Sequence, residues 1–169
     1  AHYHMGGVVT DLWGRTTLKG LWAVGECAST GAHGANRLGW NSLLEAVVFA
    51  HRIAERLRDA EAPPRAAVEK IDSPYLLPTP ARAELRTLMQ AHAGVVREAA
   101  GLKLALDRLD GLCKLHGQAH PLVAARLILT AALAREESRG AHFRSDFPHA
   151  AEAHRTFLTQ AGAHAAAPA

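Results

Sequence analysis

The chain has 169 residues, 49% hydrophobic and 21% charged. That is enough for one ordinary domain plus a small appendage, and too apolar for a disordered chain. The net charge of +3 comes from 19 basic and 16 acidic side chains with no Lys/Arg block, which argues against a nucleic-acid-binding protein. No apolar run reaches the roughly 18 residues of a membrane span. Two cysteines, Cys27 and Cys113, exclude a disulfide scaffold and fit a reducing, cytoplasmic setting.

The chain opens on Ala1-His2-Tyr3-His4-Met5-Gly6-Gly7, with no initiator Met and no signal-peptide pattern. This reads as the C-terminal piece of a longer protein. Residues 1–60 read as mixed α/β. Gly6 to Thr10 is a short β-prone run, and Asp11 to Arg15 has the Asp and Gly of a turn. Leu21-Trp22-Ala23-Val24-Gly25 reads as a buried strand. Residues 26–41 form a Gly/Ser/Thr/His/Asn loop. Ser42-Leu43-Leu44-Glu45 matches a capping box, and Leu43, Val47, Ala50, Ala54 and Leu57 then give one apolar helical face.

Residues 61–80 carry Pro63, Pro64, Pro74, Pro78 and Pro80 and read as a linker. A helical bundle follows over 81–162. One helix, 81–93, carries Leu85, Leu88 and Met89. A second, 95–110, carries Val95, Ala99, Leu102, Leu106 and Leu109. A third, 121–138, carries Leu122, Ala125, Leu127, Ile128 and Ala131. Residues 149–161 suggest a last helix, and 163–169 a disordered, Ala-rich tail. The fold class is therefore α+β, with short strands and a capped helix followed by three helices.

The chemistry concentrates between positions 21 and 45. A strand ending at Gly25-Glu26 would put an acid where α/β proteins bind ligands. Glu26 could accept hydrogen bonds from sugar hydroxyls, and the helix start at Ser42 aims free N–H groups at an anion or a developing one, as at a reduced flavin edge. The competing reading makes Glu26 a solvated loop residue and the cap a plain helix start. Arg37, five residues before the cap, suits bidentate binding of a carboxylate. His2 and His4 share one face of the first segment and His33 lies in the loop. An Arg with His reads as a carboxylate clamp, against the alternative of hydrogen-bonded structural histidines. No zinc spacing and no nucleophilic triad are present. Arg135, Arg139 and His142 near the third helix end are either a solvated terminus, with Gly140 as its C′ glycine, or a docking patch for another domain.

Several motifs together resemble the succinate dehydrogenase/fumarate reductase flavoprotein family. They are His2-Tyr3-His4-Met5-Gly6-Gly7, Gly20 to Glu26, His33-Gly34-Ala35-Asn36-Arg37-Leu38, Asn41-Ser42-Leu43-Leu44-Glu45 and Arg135-Glu136-Glu137-Ser138-Arg139-Gly140. Ala28-Ser29-Thr30-Gly31 and the short ending after Phe147-Pro148 fit the member acting on L-aspartate. The resemblance implies FAD as cofactor and oxidation of L-aspartate to iminoaspartate, with oxygen or fumarate as acceptor, at the start of NAD synthesis. It implies that Glu26, Ser42 and Leu43 contact FAD and that His2 and Arg37 hold the substrate. It also implies partners in the remaining FAD-binding and capping domains and, as a candidate, quinolinate synthase. His4 departs from a common Thr, and Gly39-Trp40 from a pair of small residues. No G-x-G-x-x-G is present and the family's catalytic Arg is expected upstream. The isolated chain is thus expected to be inactive, to bind FAD weakly or not at all, and to self-associate through unpaired strands. The alternatives are a member acting on succinate or fumarate, and a free-standing helical interaction module.

Overall fold

The computed structural model describes residues 3–60 and 76–165, the side chains of 163–165 excepted. His2 and residues 61–75 of the expected 61–80 linker lie outside the described residues, and the last two linker positions, Thr79 and Pro80, are already helical. The chain divides into two compact units, Ala1–Glu69 and Lys70–Ala169.

In the first unit, β1 (Val8–Val9) pairs in parallel with β2 (Ala28–Ser29), Val8 opposite Ala28 and Val9 opposite Ser29. Gly7 makes the entry to β1 possible. At φ +144 it runs so close to the next segment that a Cβ would lie 2.5 Å from the Cys27 carbonyl oxygen. Only glycine fits there. The turn expected over 11–15 forms, because Asp11 Oδ1 accepts the amides of Trp13 at 2.8 Å and Arg15 at 3.0 Å.

Residues 21–25 are not the buried strand expected. Leu21 is exposed, Trp22 makes only an isolated antiparallel bridge to Arg15, and a 3-10 turn begins at Gly25. Two glycines at positive φ, Gly20 and Gly25, bracket the segment and leave it too short to extend. The strand that pairs with β1 lies just beyond, after the 3-10 turn Gly25–Cys27. Glu26 therefore sits in that turn ahead of β2, not at a strand's carboxyl end.

Helix α1 spans Asn41–Arg58, with Trp40 as N-cap and no side-chain cap. Ser42 lies inside the first turn, so the capping box does not form. The Trp40 carbonyl instead accepts the Leu43 and Leu44 amides at 3.0 and 3.1 Å. The buried stripe is Glu45, Phe49 and Ile53, not the Leu43/Val47/Leu57 face, which is exposed. The loop of this unit holds the hydrogen-bonding groups that match Glu45, the Thr30 hydroxyl and the His33 ring.

In the second unit, α2 (Thr79–His92), α3 (Ala99–His116) and α4 (His120–Ala134) form the expected three-helix arrangement. Leu77, Ala81 and Leu85 pack with Leu102, Leu106 and Leu109 of α3 and with Leu122, Ala125 and Leu129 of α4. Leu102, Leu109, Leu122 and Leu129 are fully buried. Val95 lies before α3 and is exposed. Gly117, at φ 65, turns the chain between α3 and α4.

Helix α4 stops at Ala134, earlier than the pattern over 121–138 suggests, because a side chain takes its last carbonyls. Arg144 Nη1 donates to the oxygens of Ala132 at 2.9 Å and Leu133 at 3.0 Å. Gly140 is no helix cap. It occupies the first central position of a tight turn between Arg139 and His142, at φ 58. Residues 149–161 are not a helix either: the last one, α5, spans only Gln160–Ala165. The expected tail at 163–169 thus starts within α5, and 166–169 lie outside the described residues.

Among the described residues, no helix is long and apolar enough to cross a membrane.

Candidate functional site

A closed circuit of side chains surrounds the start of α1. Glu45, one turn into the helix, is buried at 7% exposure. Its Oε1 accepts the Thr30 hydroxyl, and its Oε2 lies 2.5 Å from His33 Nε2. Two hydrogen bonds from the loop therefore offset the burial of the carboxylate. The His33 ring meets Tyr3 edge to face, centroids 6.4 Å apart. The Arg37 guanidinium stands over the Tyr3 ring, 4.2 Å from its centroid. Arg37 Nη1 donates to Ser42 Oγ at 3.1 Å, which returns the circuit to α1.

The Tyr3 hydroxyl titrates above its ordinary range. Burial pushes it up, the Glu45 and Glu26 carboxylates add to this, and Arg37 opposes it. Tyr3 is therefore neutral at pH 7 and offers Arg37 an uncharged ring face. Trp40 is the only non-glycine residue with positive φ among the described residues, at 72°. Such a backbone costs about 1–3 kcal/mol. It sits where the loop turns into α1, and the Asn41 and Ser42 amides behind it donate to no backbone or side-chain acceptor among the described residues.

The structure brings Arg37 and Ser42 together. Glu26 is exposed, and its Oε1 accepts the His4 backbone N–H at 3.0 Å. The Leu43 amide is already engaged by the Trp40 carbonyl, so the amides left for a ligand are those of Asn41 and Ser42. His33 is drawn to Glu45 as a structural residue. His2 lies outside the described residues. Tyr3 and Thr30 carry no local sequence signal for these contacts, and Glu45 reads more readily as a capping residue. Among the described residues, no three side chains are grouped to hold a metal ion.

The second unit holds a separate charge cluster. Glu137 is 1% exposed. Arg139 Nε donates to its Oε2 at 2.9 Å, the Ala151 amide donates to the same oxygen at 3.0 Å, and Arg135 lies 2.5 Å from Oε1. His142 Nε2 lies 3.0 Å from the Arg135 carbonyl oxygen, and Nδ1 lies 2.9 Å from Arg97 Nη1. Arg135, Arg139 and His142 are thus engaged within their own unit, which leaves the docking-patch reading without free charges.

Residues 1–43 match the family model described as an FAD binding domain, and residues 116–167 match that of the fumarate reductase flavoprotein C-terminus. The chain is 52% identical over 160 residues to an L-aspartate oxidase of Rhodospirillum rubrum, covering 88% of this chain and 56% of that protein. It is 55% identical over 149 residues to the L-aspartate oxidase of Caulobacter vibrioides, covering 87% of this chain and 29% of that protein. This chain therefore spans about half of the first relative and less than a third of the second. Among solved structures it is similar to FrdA of an E. coli quinol fumarate reductase, with TM-score 0.75 and 31% identity over 89% of this chain and 32% of that one. It is similar too to Sdh1 of Mycobacterium smegmatis, with TM-score 0.72 and 32% identity over 87% of this chain and 30% of that one. With matches at both ends, and with both units covered by these relatives, the chain is similar to the succinate dehydrogenase/fumarate reductase flavoprotein family and, within it, to the L-aspartate oxidases.

Proposed function

We propose that this chain supplies the carboxylate-binding loop and one flavin-facing helix start of an FAD-dependent L-aspartate oxidase. The reaction converts L-aspartate to iminoaspartate, with oxygen or fumarate as the final acceptor, in the cytoplasm and at the first step of NAD synthesis. Quinolinate synthase, which would use the unstable imine, is the candidate partner. The high identity to L-aspartate oxidases supports the substrate.

The observation that carries the reading is the 3.1 Å bond between Arg37 and Ser42. It sets a guanidinium beside two unpartnered amides at the positive end of a helix. This donor set fits the group: amides for the electron-rich edge of an isoalloxazine, and an exposed carboxylate on Glu26 for sugar hydroxyls. FAD, when bound, supplies the two-electron acceptor that lets the substrate C–N bond become an imine. Arg37 holds a substrate carboxylate, with the N–H groups not bonded to Ser42 available for it. The Asn41 and Ser42 amides favour negative charge placed before α1, and so favour a reduced over an oxidised ring. His2 is the further candidate for holding substrate.

The test uses the complete flavin-loaded protein. Glu26→Ala is expected to weaken FAD retention, and Arg37→Ala to weaken binding of L-aspartate. L-Aspartate binding unchanged by Arg37→Ala would overturn the proposed clamp. A second reading, action on succinate or fumarate, is supported by the likeness to FrdA and Sdh1. Turnover of succinate with none of L-aspartate would establish it instead.

A further inference from the structure

We propose that Tyr3 is the positioning residue for Arg37, held in place by the buried Glu45 through His33. The inference rests on the clamp role of Arg37 proposed above and adds what orients it.

An arginine that must receive a substrate carboxylate needs fixing without being neutralised. A protein carboxylate would fix it, but would occupy its N–H donors and cancel its charge. Among the described residues, no ion pair includes Arg37. It touches one hydroxyl, Ser42 Oγ, and one aromatic face, Tyr3. A ring face attracts the cation through its quadrupole and uses none of the planar N–H donors. One Nη1 bond to a neutral oxygen then leaves the other donors of the fork available.

The ring must itself be held. Its edge-to-face partner is His33, with an interplanar angle of 85°. His33 is bonded at Nε2 to Glu45. Glu45 stands on α1, the same rigid helix whose first turn carries Ser42. Both ends of the circuit are thus tied to one element, and the loop between them inherits its geometry. Thr30 occupies the second Glu45 oxygen, so the acid is satisfied locally and does not compete for Arg37. The phenol hydroxyl has no part in this arrangement, so the ring alone should suffice.

The experiment measures malonate binding to the complete flavin-loaded protein by calorimetry. Malonate is a dicarboxylate without an oxidisable C–C or C–N bond. It compares parent, Tyr3→Leu, Tyr3→Phe, Glu45→Gln and Arg37→Ala. FAD affinity is measured alongside, and circular dichroism checks the fold. Tyr3→Leu is expected to weaken malonate binding roughly tenfold, with FAD affinity within about twofold of the parent. Tyr3→Phe, which keeps the ring, should bind malonate like the parent. Glu45→Gln keeps the shape and covers the case where Tyr3→Leu fails to fold; it should weaken malonate more than FAD. Tyr3→Leu or a folded Glu45→Gln binding malonate like the parent, with Arg37→Ala defective, overturns the positioning role and leaves the clamp standing. Equal losses of malonate and FAD affinity overturn it too, because they mark general loosening of the loop. Parent-like malonate binding by Arg37→Ala overturns the clamp and the inference with it.

Discussion

Arg144 and Asp146 join the end of one helix to the start of another. Arg144 Nε and Nη2 each donate to an Asp146 oxygen at 2.7 Å. The same guanidinium caps the last carbonyls of α4, while Asp146 Oδ2 accepts the amide of Ala99, the first residue of α3, at 2.9 Å. Arg144 is fully buried. Removing one partner of such a pair leaves charge and carbonyls without donors. Arg144→Ala should cost about 3–5 kcal/mol in the helical unit. Arg144→Lys should recover only part, because an ammonium cannot make the bidentate pair and the cap together. Urea unfolding followed by circular dichroism checks both.

Acid should loosen this unit in two stages. Burial holds the His142 imidazole below its ordinary 6.5, with the charges of Arg97, Arg135 and Arg144 adding to the effect and a bond to the Arg135 carbonyl opposing it. A depressed folded value means the unfolded chain binds the proton first. The stabilisation is complete above 6.5 and is lost as pH falls through the lower folded value. Asp146 has the same sign. Its bonds from Arg144 hold it far below its ordinary 3.8, so its contribution survives to lower pH and fails last. His142→Gln should abolish the first decline, which sets in as pH falls below about 6.5, and keep the second. Urea midpoints measured through that decline for parent and variant decide it; an unchanged first decline would implicate another group.

The helical unit is largely legible in the sequence because its core follows one rule. Leu102, Leu106 and Leu109, then Leu122 and Ala125, recur at helical spacing and are buried. Further along α4 the buried apolar positions are Leu129 and Ala132, not the expected Leu127, Ile128 and Ala131, which are half-buried. The ends are not legible, since Arg144 caps α4 from ten residues beyond it and no local pattern encodes that. In α1 the same rule misleads. The Leu43 and Val47 face has the apolar count, yet the stripe buried in this unit contains Glu45, whose partners Thr30 and His33 lie 15 and 12 residues away. The Arg37–Ser42 relation is readable because both lie within one short loop and helix start. Tyr3 enters only through tertiary contact.

Ser42→Ala removes the oxygen that fixes Arg37 and nothing else of size. Its cost to L-aspartate binding in the complete protein should be about 0.5–1.5 kcal/mol, the worth of one neutral hydrogen bond. Arg37→Ala should cost about 1.5–3 kcal/mol or more, as for a lost charged bond. Arg37→Lys should stay near the larger figure, because an ammonium offers no planar fork. Calorimetric dissociation constants for the three variants give the ranking, and a Ser42→Ala loss as large as that of Arg37→Ala would contradict it.

Two neighbouring glycines separate backbone strain from collision. Gly6 and Gly7 both have positive φ, 99° and 144°. A Cβ at Gly6 meets nothing within 4 Å, whereas one at Gly7 would lie 2.5 Å from the Cys27 carbonyl oxygen. Gly6→Ala should therefore carry only the conformational cost, about 1 kcal/mol. Gly7→Ala adds a clash with backbone that cannot rotate aside, so β1 must move away from the 3-10 turn, for a total of about 2–4 kcal/mol. That movement also pulls His4 from Glu26. Trp13, Trp22 and Trp40 all lie in the first unit, so tryptophan fluorescence reports this unit while far-UV circular dichroism is dominated by the helices. Gly7→Ala should lower the urea midpoint seen by fluorescence well below that of Gly6→Ala. Equal midpoints for the two variants would show that β1 yields to the added carbon without cost.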